Sequence, residues 1–187
     1  MYQLSYHLAE IIIIAGISFS LFNIPLLPLQ LLFLNLLSDV FPALALGLGK
    51  GDETIMQQNP KDPAEPIINK RNWITMGVYG SIMAIVISGA YLLSLFYFDQ
   101  SKETANTIAF FSLAFSQLLH VFDMREAKEH VFVNQVVKNR YVWYAILFCL
   151  VALFTAYFVP ILHSTLSFEY LTTNNWLLVA GATLSTI

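Results

Sequence analysis

The sequence predicts an all-α protein: a polytopic transmembrane bundle of about six helices, the last one cut short. Three observations carry this. Hydrophobic residues make up 57% of the 187 positions and charged residues only 11%, with a mean hydropathy of +0.66. A soluble globular surface carries about 25% Asp, Glu, Lys and Arg, so most of this chain meets lipid or another apolar surface. Several apolar stretches approach the ~20 residues that a helix needs to cross a ~30 Å hydrocarbon core. Finally, the basic residues cluster in alternate connections, as topology-determining charges do.

The elements follow in order. Apolar stretches run over 4–22, 28–48, 73–95, 104–122 and 141–160, and a sixth begins at Asn175 and is still apolar at Ile187. That last stretch, 175–187, is too short to span, and the first has no polar flank before it; both ends read as trimmed from a longer protein. The whole of 1–187 reads as one membrane domain. Lys50, Lys61, Lys70 and Arg71 fall between the second and third stretches, and Arg125, Lys128, Lys138 and Arg140 between the fourth and fifth. Lys102 alone falls on the other side, so these two loops are expected to be cytoplasmic. Trp73, Tyr141, Trp143 and Trp176 near stretch ends suit the interfacial belt.

The composition also excludes. Nine Lys and Arg against twelve Asp and Glu give a net charge of −3, which does not suit a nucleic-acid partner. One cysteine, Cys149, leaves no disulfide framework and no cysteine metal cluster. Met1–Glu10 has no positive segment of the secretory type. The sequence holds no internal repeat and no nucleotide-binding loop.

Polar groups at membrane depth are the informative ones, because each is costly without a partner. Glu10 lies 15 residues before the turn near Pro25 and Asp39 lies 14 after it. At ~1.5 Å rise per residue both carboxylates stand roughly 20 Å from the turn, at similar depth. Asn35, Ser38 and Asp39 share one helical face. Pro42 lacks an N–H and so frees the carbonyl of Ser38. Two carboxylates, an amide, a hydroxyl and a free carbonyl are an all-oxygen donor set of the kind that Ca²⁺ takes.

Weighed against this, a lone membrane Asn or Ser is often an interhelical hydrogen bond. Two acids at one depth repel unless something neutralises them, which favours a cation site or a proton relay. Gln117 reads equally as interhelical glue and as a ligand. His120 reads as structural, Asp123 as a solvated cap, and His7 shares a face with Glu10. Gly77, Gly80 and Gly89 are candidates for close helix packing, and Cys149 for plain packing.

The stretch PLQLLFLNLLSDVFPALALGL, Pro28 to Leu48, resembles the sixth membrane helix of type II P-type cation-transporting ATPases, the Ca²⁺-pump class. The likeness continues into the loop DETIMQQNPKDPAEPII. HLAEI, His7 to Ile11, is similar to the fifth-helix segment, usually Asn-x-x-Glu, and FSQLLHVFDMR resembles the eighth helix. The resemblance covers the chain from helix five into helix ten and is most specific from Pro28 to Ile68.

That resemblance implies a cation-binding set of Glu10, Asn35, Ser38, Asp39 and Gln117, with Ser38 replacing the usual Thr and keeping the hydroxyl. His7 stands where the family has Asn, which puts its ligand role in question and bears on ion choice. Gln117 falls where some Ca²⁺ pumps have Glu. The implied function is the ion-binding membrane part of a pump whose transported ligand is Ca²⁺ or another cation. ATP and Mg²⁺ then belong to the parent pump, because no DKTG-type phosphorylation motif occurs in this chain. The expected partners are the lipid bilayer and the amino-terminal actuator, phosphorylation and nucleotide domains. The expected location is a bacterial plasma membrane. Two other readings of the residues are a free-standing secondary cation transporter or channel, and a non-transporting pump remnant.

Overall fold

The computed structural model describes residues 2–21, 25–49, 70–124 and 135–186. The segments 50–69 and 125–134, with Lys50, Lys61, Arg125, Lys128, His130 and the DETIMQQNPKDPAEPII stretch, lie outside the described residues, as do the side chains of Asp39, Arg71 and Asp123. Among the described residues the fold is all-helical. Its elements are α1 (Tyr2–Leu21), α2 (Pro28–Gly47), α3 (Lys70–Phe96), α4 (Lys102–His120), α5 (Gln135–Lys138), α6 (Arg140–Phe158), α7 (Pro160–Thr165) and α8 (Thr173–Leu184). A 3₁₀ turn, Val121–Met124, ends α4.

Among the described residues, three helices are long and apolar enough to cross a membrane, over Pro28–Gly47, Asn72–Phe96 and Arg140–Phe158, and a shorter apolar segment runs over Gln3–Phe19. The stretch expected at 104–122 forms α4, but its composition does not mark it as a crossing in the same way. The reason lies in its surroundings. Thirteen of its residues are buried, among them Thr107, Ser112, Ser116 and Gln117. A helix ringed by other helices can hold hydroxyls and amides that a lipid-facing helix cannot.

The helix ends obey local rules. Pro28 opens α2, where its missing N–H costs nothing. Gln30 accepts the Leu27 N–H at 3.0 Å and donates to the Leu166 carbonyl at 2.9 Å, tying the start of α2 to the end of α7. The Ser101 hydroxyl accepts the Thr104 N–H, and Glu103 sits in the first turn of α4, where the helix dipole favours an acid. Asp99, at φ 49°, turns the chain from α3 into that cap. Asn139 caps α6 through its Oδ1 and donates from Nδ2 to the Ala45 carbonyl at 2.8 Å, joining the ends of α2 and α6.

Packing centres on α4. It lies against α3, α8 and α2, while α1 packs mainly on α3 and α2 mainly on α6. The first two helices are therefore neighbours in sequence that touch only slightly, rather than a tight hairpin. Gly80 explains the α1–α3 crossing: a Cβ there would stand 2.7 Å from the Ser5 carbonyl oxygen. Gly77 and Gly89 have open space at the same test, so of the three candidate glycines only Gly80 makes a close approach. At the end of the bundle where α6 and α7 meet, the rings of Phe111, Tyr157, Phe168 and Trp176 interlock at centroid distances of 5.2–6.5 Å.

Candidate functional site

Glu10 sits midway along α1 on the face that carries Tyr6, Ala9, Ile13 and Ile17 inward, and is itself 5% exposed. A carboxylate so enclosed needs donors. Two polar side chains stand close to it. Gln117 of α4 donates from Nε2 to Glu10 Oε1 at 2.9 Å, a buried contact between residues 107 apart in sequence. His7, one turn earlier on α1, places Nδ1 3.3 Å from Glu10 Oε2. The expected pairing of His7 with Glu10 on one face is thus present, and Gln117 joins α4 to α1 through the same acid.

On α2, Asn35 and Ser38 lie one turn apart. Asn35 Oδ1 is buried and has no hydrogen-bond partner, so one strong acceptor is left open. The Ser38 hydroxyl donates to the Leu34 carbonyl at 2.8 Å, which leaves its oxygen lone pairs available. Pro42 lies inside the helix and supplies no N–H to the Ser38 carbonyl. Next to that break, the buried thiol of Cys149 reaches the Leu37 carbonyl at 3.4 Å. Cys149 therefore does more than fill space: it links α6 to α2 at the turn before Pro42. Asp39 lies in the same helical stretch, with its side chain outside the described set.

Two further histidines lie elsewhere in the described residues. His120 is 1% exposed, with its ring 5.2 Å from that of Tyr79. His163, in α7, stacks on Tyr170 at 4.2 Å. Among the described residues no three His, Cys, Asp or Glu side chains come together as a metal cluster.

Residues 23–187 match the family described as cation transporting ATPase, C-terminus. The chain belongs to that family. Relatives bear this out across its length. A calcium-transporting ATPase of Bacillus subtilis is 27% identical over 96% of this chain and 20% of its own length. A calcium-transporting ATPase of Lactococcus lactis is 30% identical over 84% of this chain and 18% of its own. One of Listeria monocytogenes is 34% identical over 68% and 14%. The chain thus spans about a fifth of the length of the curated relatives it matches. It corresponds to the carboxyl-terminal membrane region of P-type cation-transporting ATPases, as the sixth-helix pattern from Pro28 to Leu48 implied.

Proposed function

We propose that this chain is the ion-binding membrane part of a P-type pump moving Ca²⁺, with Glu10, Asn35, Ser38, Asp39 and Gln117 holding the ion. The observation that carries the reading is the buried Glu10 carboxylate, hydrogen-bonded by Gln117 of α4, in a chain of the cation-transporting ATPase family. An enclosed carboxylate is an electrostatic liability that a bound cation relieves. The open Asn35 Oδ1 and the carbonyl freed by Pro42 add neutral oxygens, which hard cations accept. ATP and Mg²⁺ act in the amino-terminal actuator, phosphorylation and nucleotide domains of the parent pump, through an aspartyl-phosphate intermediate. The relatives of bacterial origin support placing it in a bacterial plasma membrane.

The test is ion-dependent phosphorylation of the parent pump by labelled ATP. Glu10→Gln and Asp39→Asn are each expected to raise the Ca²⁺ concentration needed by at least tenfold. Unchanged Ca²⁺ dependence in both variants would remove these residues from the site.

A further inference from the structure

His7 introduces a nitrogen donor beside the one buried carboxylate of α1, and we propose that it sets ion choice: with Glu10 it lets the site accept a borderline divalent transition cation, of the Co²⁺ or Zn²⁺ kind, alongside Ca²⁺. The inference rests on reading Glu10 as a cation ligand. Its geometric basis is the separation of 3.3 Å between His7 Nδ1 and Glu10 Oε2. Two donors each about 2.1 Å from one ion, at a tetrahedral angle, stand about 3.4 Å apart. The separation of this hydrogen-bonded pair is compatible with a shared ion.

The chemistry points the same way. An imidazole that carries its proton on Nε2 can give the Nδ1 lone pair to a metal ion. Imidazole suits Zn²⁺ and its transition-metal neighbours, whereas an all-oxygen set suits Ca²⁺, Mg²⁺ and Mn²⁺. The His7 ring packs against Tyr6 in an edge arrangement at 4.8 Å, and its side chain is 36% exposed. Glu10 in turn is positioned by the Gln117 amide, which binds its other oxygen and leaves Oε2 facing His7. A ligating carboxylate is commonly steadied in this way by an outer partner.

The test uses the 187-residue chain in lipid nanodiscs, with Co²⁺ and Ca²⁺ as probes. Pulsed EPR of bound Co²⁺ is expected to show nitrogen coupling that changes when the histidines carry ¹⁵N. His7→Asn is expected to abolish that coupling and weaken Co²⁺ binding about tenfold, a loss of about 1.4 kcal/mol, while Ca²⁺ binding stays within about twofold. His7→Gln provides a second variant should the first fold poorly, and the EPR measurement on the unaltered chain needs neither. If both cations bind and Glu10→Gln removes them, but no nitrogen coupling is seen, the His7 proposal is overturned and the cation site stands. If neither cation binds, or Glu10→Gln changes nothing, the cation site itself falls and the proposal with it.

Discussion

Gln117 Nε2 and Glu10 Oε1 meet at 2.9 Å in the protein interior, so that one hydrogen bond ties the central helix α4 to α1 at the only acid that α1 carries. The amide binds the carboxyl group but carries no charge of its own. That distinction sets the first expectation.

Gln117→Leu leaves Glu10 buried with one donor fewer. The expected loss is about 1–3 kcal/mol of stability, the cost of stranding a buried polar group, read as a lower unfolding temperature in detergent. Gln117→Glu sets a second carboxylate against the first. It is expected to unfold at a lower temperature without added cation and to regain at least the wild-type value in millimolar Ca²⁺. A Gln117→Glu protein indifferent to Ca²⁺ would contradict the placement of the ion at Glu10.

The glycines of α3 separate cleanly. Gly80→Ala would drive a Cβ into the Ser5 carbonyl, a backbone atom that cannot swing aside. A loss of about 1–3 kcal/mol is expected from such overpacking. Gly77→Ala meets open space and is expected to be neutral or stabilising by up to about 1 kcal/mol. Equal effects in a paired thermal-unfolding comparison would show that the α1–α3 crossing does not depend on Gly80.

Pro42→Ala restores an N–H to α2 opposite the Ser38 carbonyl. The helix is expected to be as stable as before or more so, while Ca²⁺ affinity falls about tenfold because the free carbonyl is consumed, a cost of about 1.4 kcal/mol. Calcium titration and thermal unfolding of the same sample distinguish this from plain misfolding, which would lower both.

Asn139 has two jobs, and two substitutions part them. Asn139→Asp keeps an oxygen for the Tyr141 N–H but loses the donor to Ala45, whereas Asn139→Ala loses both. Expected costs are about 1 kcal/mol for the aspartate and about 2 kcal/mol for the alanine. Chemical denaturation of both variants checks the order.

Much of the architecture was legible because it is local. Helix positions follow from runs of apolar residues, and the start of α2 from Pro28, whose backbone chemistry acts within one turn; the caps Ser101 and Asn139 and the break of the 141–160 stretch before Pro160 emerged only in the structure. The pairing of His7 with Glu10 was legible for the same reason: three residues along a helix always share a face. The link from Cys149 to the Leu37 carbonyl was not, since a thiol in an apolar run carries no sign of what it will touch.

The sequence by itself determined that this is a chain of apolar helices, which polar residues they carry, and to which family the pattern from Pro28 to Leu48 belongs. Only the tertiary structure decided that α4 is the central helix, that α1 leans on α3 at Gly80 rather than on α2, and that Gln117 rather than a residue of α2 meets Glu10 Oε1. The physical reason is the membrane itself. In lipid, a face that packs on a helix and a face that meets acyl chains are both apolar, so hydropathy does not tell them apart. Which faces meet is settled by small residues and scattered polar groups whose partners lie far along the chain, as Gln117 lies 107 residues from Glu10.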